Sequence, residues 1–235
     1  FECDGGLFDG VANDSTNLPV AGAQSLAGFA DTVPDVCTWT VDGVGDESDT
    51  FETIQEAING ATAGDVICVE DGTYDEFTID KPLTIAGLTN PLTGTAVIAP
   101  SSASVDALVD ITSSDVTVSG LKLSADGQPF TASQVAGFKI SGGDIDNVTI
   151  THNVVEELRI DDSTLGASVP NPSVKGIQWF ENADATTLSN SSFVWNVIRG
   201  MESQVSGGYG IQTVGPMDNV VIAHNTISDI DGAWG

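Results

Sequence analysis

Short apolar runs recur along most of this chain, and they predict strands rather than helices. In many of them apolar and polar residues alternate, as in Val148-Thr149-Ile150. This alternation directs one face of each strand to a core and the other to solvent. The predicted strands span residues 37–41, 66–70, 77–79, 83–86, 96–99, 116–118, 121–123, 138–140 and 148–150, and others follow towards residue 235.

Several of these strands belong to a repeated segment. Residues 146–155 read DNVTITHNVV, residues 218–227 read DNVVIAHNTI, and residues 187–198 carry a looser copy. The loops between the copies differ in length, whereas the core segment does not. Such self-similarity is typical of a solenoid of stacked coils. Because the strands are short and lack two-residue hairpin turns, the predicted fold class is an all-β parallel β-helix.

One asparagine column runs through the copies and supports the same fold. Alignment brings Asn153, Asn196 and Asn225 to the same position of each coil. Asparagine tolerates the left-handed backbone of a tight corner, and its amide can bond to the asparagine of the next coil. We therefore expect the three residues to form a structural corner with left-handed backbone.

A single segment has helical spacing. Phe51, Ile54, Ala57 and Ile58 fall on one helix face. Asp49 stands three residues before Glu52 in the form of a capping box, which predicts a helix start near residue 50.

Residues 51–87 resemble the N-terminal cap and first coils of the right-handed parallel β-helix superfamily that includes pectate lyases, pectin methylesterases and polygalacturonases. The residues that carry the resemblance are Ile54, Gln55, Ala57, Gly64-Asp65, Asp71-Gly72-Thr73-Tyr74, Ile79 and Leu83 to Gly87. Residues 1–36 are rich in Gly, Ala and Asp without a sustained period, which indicates an irregular leader or cap. The resemblance covers residues 37–235 and implies a strand-helix-strand cap at 37–69 and right-handed coils over 70–235. It is specific for the fold and weak for activity, because the superfamily also contains proteins without known chemistry.

The charge balance is extreme and narrows the partners. The chain has 34 acidic and 6 basic residues, a net charge of -28, yet 40% of its residues are hydrophobic. This charge disfavours nucleic acid and anionic membranes as partners, and no apolar run is long enough to span a bilayer. The scarcity of lysine resembles the proteins of extreme halophiles, especially haloarchaea. An acidic secreted protein or a surface that gathers divalent cations is the alternative.

The three cysteines permit one disulfide. Cys37 and Cys68 flank the predicted helix in strands expected to be neighbours, whereas Cys3 lies in the leader. A bond between Cys37 and Cys68 would contribute on the order of 3 kcal/mol in an oxidising compartment. Two buried, reduced cysteines are the alternative.

Catalytic signatures are sparse. The resemblance leads us to look for paired carboxylates and, for a calcium-dependent lyase, a neighbouring basic residue as the base. Asp161-Asp162 with Arg159 nearby is the candidate set, and a solvated salt bridge at a strand end is its alternative. The further polygalacturonase signatures are absent, and the aspartate, glutamine and arginine set of pectin methylesterases has no counterpart that we can place.

Aromatic residues are the stronger candidates for carbohydrate binding. If their rings are exposed, Trp179, Trp195, Tyr209 and Trp234 would stack on sugars. The alternative is that these rings pack over the bases of loops. His152 and His224 share a column with Trp195 between them. About 10 Å would then separate the two histidines, given a strand spacing of roughly 4.8 Å, which is too far for one metal ion. We expect them to be packing residues.

The acidic loop before the helix offers oxygen ligands. Asp42, Asp46 and Asp49 could bind Ca²⁺, although their spacing does not match an EF-hand and helix capping alone accounts for Asp49. Calcium is thus the one cofactor that the sequence suggests.

The last repeat suggests an open end. In the alignment, Trp234-Gly235 corresponds to Tyr209-Gly210, which leads into another strand. The terminal coil of a solenoid is normally covered by a capping segment, because its strand edges and core would otherwise be exposed. We expect either a longer parent chain, which we favour, or a covering partner, including head-to-tail self-association into filaments.

Together these patterns predict an extracellular or cell-surface protein adapted to salt. The favoured function is a non-catalytic surface, adhesion or filament component with a carbohydrate partner. The alternatives are a polysaccharide lyase or glycoside hydrolase acting on acidic polysaccharide, and a viral tail or spike protein.

Salt should stabilise the folded chain. At a net charge of -28, the folded state repels itself, and molar salt shortens the screening length from about 8 Å to about 3 Å. We expect the thermal midpoint to rise between about 0.15 M and about 3 M KCl, as measured by circular dichroism. A midpoint that is unchanged or falls would contradict adaptation to salt.

Overall fold

The computed structural model describes residues 33–43, 50–94, 96–160, 172–180, 186–203 and 207–232. In these residues the chain forms a stack of coils whose strands all pair in parallel. The predicted leader lies almost wholly outside the described residues. Among the described residues, no helix has the length and apolar character needed to cross a bilayer.

Within the described residues, four sheets run along the stack, with 8, 8, 5 and 3 strands. Sheet A contains β2 (Thr50–Phe51), β1 (Trp39–Val41), β3 (Val66–Val69), β6 (Thr84–Gly87), β9 (Val116–Ser119), β14 (Val148–Thr151), β19 (Ser192–Val194) and β23 (Val221–Ala223). Sheet B contains β4 (Gly72–Tyr74), β7 (Ala96–Ile98), β10 (Lys122–Ser124), β15 (Val154–Glu156), β20 (Val197–Ser203), β24 (Thr226–Gly232), β16 (Arg159–Ile160) and β11 (Pro129–Phe130).

The other two sheets contain fewer strands. Sheet C contains β5 (Phe77–Ile79), β8 (Ala107–Ile111), β12 (Gln134–Ile140), β17 (Ser173–Phe180) and β21 (Gly207–Val214). The small sheet D contains β13 (Ile145–Asp146), β18 (Leu188–Ser189) and β22 (Met217–Asp218). The parallel β-helix predicted from the repeats is confirmed.

The core is built from columns of apolar residues that stack from coil to coil. In sheet A one column consists of Ile67, Ile85, Val118, Ile150 and Phe193, which are partners in successive strands and are fully buried. The intervening residue points outward, and Thr149 shares a hydrogen bond of 3.2 Å with Ser192 of the next coil. Burial of each such large apolar side chain stabilises the fold by about 1.5–3 kcal/mol.

The asparagine column forms the predicted ladder. The Asn153 backbone N–H donates to Asn196 Oδ1 (3.0 Å), and the Asn196 N–H donates to Asn225 Oδ1 (2.9 Å). The side-chain amides add the same links at 3.2 and 3.1 Å. Each buried amide thus satisfies backbone groups that no strand reaches.

The backbone prediction for these asparagines was wrong by one residue. The left-handed conformation falls on the preceding residues, His152 (φ 54), Trp195 (φ 59) and His224 (φ 56). Once the preceding residue has made the turn, the asparagine amide can point inward to the ladder. Left-handed asparagines do occur, but in another column that contains Asn147, Asn190 and Asn219.

The capping helix begins later than the sequence pattern indicated. Helix α1 spans Ile54–Gly60, and its cap is Thr53, whose hydroxyl accepts a hydrogen bond from the Glu56 N–H while the Glu56 side chain bonds the Thr53 N–H. Phe51 instead belongs to β2, because this segment pairs with β1. The correct capping box is therefore Thr53 to Glu56, and Asp49 lies outside the described residues.

The cap is fastened covalently to the first coils. Cys37 and Cys68 form the disulfide that the sequence allowed, with their Cα atoms 5.7 Å apart. The bond joins the segment before β1 to the buried strand β3.

Removal of the central ladder amide should be costly. Asn196→Ala leaves the Asn153 N–H without its acceptor and the Ile150 carbonyl without its donor. We expect a loss of roughly 2–4 kcal/mol in the free energy of unfolding, measured by urea denaturation. Asn190→Gly, at an exposed left-handed corner, should cost much less, and an equal loss in both variants would contradict a special role for the ladder.

Candidate functional site

The outer face of sheet C carries a continuous row of polar side chains. On β12 and β17, Phe138, Ile140, Ile177 and Trp179 point into the core, so the residues between them point outward. Strand register aligns these outward residues with those of neighbouring coils. The polar row consists of Thr78, Asp110, Lys139, Gln178 and Gln212.

Charge in the row is concentrated at its centre. Lys139 Nζ lies 3.2 Å from Asp106 Oδ2 and 3.6 Å from Asp110 Oδ2. Ser141 Oγ donates to Asp110 Oδ1 at 2.8 Å. Burial would lower the pKa of Lys139, but the two carboxylates outweigh burial and raise it. The lysine therefore stays charged between two carboxylates.

An apolar step borders the row. Phe180 and Val214 are partners in β17 and β21, and they expose 41% and 37% of their surface. A groove of about 150 Å³ lies between this step and the row. The residues that line it are Asp106, Gln134, Lys139, Ile140, Ser141, Gln178 and Phe180.

A buried lysine lies next to the groove. Lys175, on β17, is only 1% exposed, and its Nζ donates to Gln134 Oε1 at 3.2 Å. Burial lowers the pKa of Lys175 to about 8. In register it lies between Ala136 on β12 and Tyr209 on β21.

Cations are scarce, so their placement is informative. Of the four lysines in the sequence, Lys139 and Lys175 lie at this face. Lys81 donates to the Ile58 and Ala61 carbonyls at the end of α1. On the outer face of sheet B, Lys122 and Arg199 both pair with Glu156, whose side chain is 7% exposed. Burial alone would raise the pKa of Glu156, but these two partners lower it.

The predicted catalytic set is only partly within the described residues. Arg159 lies on β16 opposite Glu202 of β20, and its buried Nε has no hydrogen-bond partner among the described residues. Asp161 and Asp162 lie outside the described residues. The proposed role of these three residues stays a prediction.

The aromatic candidates for sugar binding differ in their exposure to solvent. Trp179 is a core residue with 1% exposure, so the expectation that it stacks on sugar is corrected. Trp195 lies between His152 and His224, with ring centroids 6.2 and 4.2 Å away, so neighbouring rings cover its faces. Tyr209 is half-buried beside Lys175. Trp234 lies outside the described residues.

The same stack accounts for the histidines. His152 and His224 are separated by the Trp195 ring, as expected for packing residues two coils apart. His152 Nδ1 also shares a hydrogen bond of 2.7 Å with Thr151 Oγ1.

Calcium binding at the acidic loop stays a prediction. Asp42 follows β1, whereas Asp46 and Asp49 lie outside the described residues. Among the residues that the structure describes, no three His, Cys, Asp or Glu side chains are grouped to hold a metal ion.

Sequence reasoning missed the groove because its residues are far apart in the chain. Asp106 and Lys139 are 33 residues apart, and Gln134 and Lys175 are 41 apart. One signal was present, since Gly176-Ile177-Gln178 repeats as Gly210-Ile211-Gln212. The repeated glutamine marks two neighbouring positions of the polar row.

Replacement of the buried lysine should stabilise the fold at neutral pH. A lysine whose pKa falls from 10.5 to about 8 on folding binds fewer protons in the folded state, so stability rises with pH between these values and its charged form is destabilising below them. Lys175→Met should gain up to about 3 kcal/mol at pH 7, measured by urea denaturation. The gain should shrink as the pH rises from about 8 to 10.5, and a gain of equal size at all pH values would contradict this origin.

Comparison with known proteins finds likeness in structure only. No protein-family model and no curated protein matches the chain. A mutant pectin methylesterase in complex with a hexasaccharide is 17% identical with a TM-score of 0.49, over 84% of this chain and 68% of that one. The pectin methylesterase PemA from Erwinia chrysanthemi is 19% identical with a TM-score of 0.41, over 81% and 67%. The pectin methylesterase from Aspergillus niger is 14% identical with a TM-score of 0.37, over 83% and 86%.

These values are too low to transfer a site or an activity. The fold is instead established by the parallel strand register, the asparagine ladder and the capping helix of the chain itself. Crossovers between parallel strands of one sheet are right-handed in nearly all proteins. The chain is therefore a right-handed parallel β-helix.

Proposed function

We propose that the protein binds a polysaccharide along the polar row of sheet C. The observation that carries this proposal is the continuity of the row, which offers one polar side chain per strand across five strands. Adjacent strands are about 4.8 Å apart. A polymer that lies along the helix axis would therefore meet a donor or acceptor at regular intervals.

The chemistry of the groove suits hydroxyl groups. The amides of Gln134 and Gln178 can each donate and accept, Lys139 donates, and Asp106 accepts. Phe180 beside them offers an exposed apolar ring, and such a ring can cover the apolar face of a sugar. Ligand sites commonly combine an apolar surface with a few polar groups that fix orientation.

The net charge favours a neutral polymer. At -28 the protein repels a polyanion at low ionic strength, and only part of this repulsion is offset by Lys139 and Lys175. A neutral polysaccharide meets no such barrier. An acidic polysaccharide would bind only when salt screens the repulsion.

A binding experiment with matched controls tests the proposal. Galactan, xylan and polygalacturonate would be compared by affinity electrophoresis and calorimetry at about 0.15 M and about 2 M KCl. We expect a neutral polymer to bind, and Gln178→Ala and Phe180→Ala to weaken it roughly five-fold or more. Gln128→Ala and Val221→Ala, at exposed positions away from sheet C, should leave binding unchanged.

The proposal fails if none of the polymers binds at either salt concentration. It also fails if the row variants and the control variants bind equally well, because binding would then lie elsewhere on the protein.

A carbohydrate-active enzyme is the second candidate. Asp106 and Asp110 are both within reach of Lys139 at the groove, and a pair of carboxylates is the usual equipment for acid and base catalysis on sugars. Release of reducing ends, of methanol, or of a product absorbing at an unsaturated bond would separate hydrolase, esterase and lyase activity. Activity lost in Asp110→Asn but kept in Arg159→Ala would assign it to the groove rather than to the Arg159, Asp161 and Asp162 set.

The place of action follows as a further part of the proposal. The Cys37–Cys68 disulfide is compatible with an oxidising compartment, which supports an extracellular or cell-surface location. The protein could also act as part of a larger assembly, such as a cell surface layer, an adhesin, a filament or a viral tail. The groove would then be exposed on that assembly. Sedimentation of the pure protein in molar salt and a test for association with virus particles would distinguish these roles.

A further inference from the structure

Lys175 differs from the other lysines in what it bonds. The ammonium group has three hydrogens to donate and cannot accept. Among the described residues, Lys175 has one hydrogen-bond acceptor, Gln134 Oε1. Lys122 and Lys139 each pair with carboxylates, and Lys81 donates to two carbonyls.

This contact determines the orientation of a groove amide. Because an ammonium can only donate, Gln134 must turn its carbonyl oxygen towards Lys175. The nitrogen Nε2 of Gln134 is then directed away from Lys175. Gln134 is exposed at the start of β12 and lines the groove with Asp106 and Lys139.

The neighbouring glutamine pair lacks this constraint. Gln178 Nε2 donates to Gln212 Oε1 at 3.4 Å. Both partners are amides, so both can turn over together and exchange donor and acceptor. The Gln134 amide at the groove therefore has a fixed polarity, whereas the Gln178 and Gln212 amides of the polar row have interchangeable polarity.

We infer that Lys175 is a positioning residue for the groove, whose ammonium holds the Gln134 amide so that Nε2 faces the ligand as a donor. The inference rests on the proposed function for its ligand, but the link between Lys175 and Gln134 does not depend on it. The group recognised by Nε2 would be a hydroxyl, ether or carbonyl oxygen of the polysaccharide.

Protonation should control this polarity. Burial lowers the pKa of Lys175 to about 8, and the neutral amine above that pH has a lone pair that can accept from Nε2. The Gln134 amide is then free to turn, and the groove loses its fixed donor.

Several other charged or titratable side chains lie on the strands around β17 and at the groove. The strands packed against β17 are β12, β16, β20 and β21. Their titratable or charged side chains are Lys139, Arg159, Arg199, Glu202 and Tyr209, and Asp106 lies across the groove. Asp161 and Asp162 lie outside the described residues.

Side-chain amide spectra test the link directly. In ¹⁵N-edited spectra recorded from about pH 6.5 to about pH 9.5, the Gln134 amide signals should shift with a midpoint near 8. They should be independent of pH in Lys175→Met and in Lys175→Arg, because neither side chain titrates in this range. The Gln178 amide signals should not follow the same midpoint in any of the three proteins.

Binding then tests the consequence for the groove. Galactan affinity of the natural sequence should fall roughly three- to ten-fold between about pH 6.5 and about pH 9.5. Lys175→Arg should retain the higher affinity at both pH values, whereas Lys175→Met should bind weakly at both. If one variant fails to fold, the other still removes the titration.

The outcomes separate this inference from the proposed function. Gln134 signals that ignore both pH and the Lys175 variants would overturn the inference, even if galactan binds. Galactan affinity that is independent of pH in the natural sequence would overturn it as well. If galactan, xylan and polygalacturonate all fail to bind while the Gln134 signals titrate as expected, the proposed function fails and the Lys175–Gln134 link stands.

Discussion

The structure depends on the register in which one coil stacks on the next. A coil of a few short strands cannot bury its own apolar face, so each coil is stabilised by its neighbours. The asparagine ladder holds this register, because Asn153, Asn196 and Asn225 bond backbone groups at the corner where strand pairing ends. A slip of one residue would break these buried hydrogen bonds and turn the apolar columns outward.

The same register creates the groove. Lys139 and Gln178 are adjacent only because β12 and β17 pair residue for residue, and Phe180 meets Val214 for the same reason. Interactions at the groove therefore require no special local fold. They arise wherever outward positions of successive coils carry polar side chains.

The sequence predicted those features that repeat, and it failed where a single residue or a distant pair decides. The repeated segment predicted the coils, the ladder residues and the packing role of His152 and His224, which lie on either side of the Trp195 ring. The repeat contains two asparagine columns, one with Asn147 and one with Asn153. The left-handed backbone was assigned to the column of Asn153, whereas the asparagines with positive φ are in the column of Asn147. The groove could not be predicted from the sequence, because the number of residues between Asp106 and Lys139 depends on the length of the intervening loops. The burial of Trp179 likewise depends on which strand face it occupies.

The variable loops and the constant ladder have a further consequence for how such a surface can change. A loop between coils can lengthen without disturbing Gln178 and Gln212, because strand pairing sets their distance. Insertion of a whole coil would instead extend the row by one side chain. Affinity for a long polymer could therefore be adjusted in discrete steps by the number of coils, whereas selectivity could be adjusted independently by single substitutions within a coil.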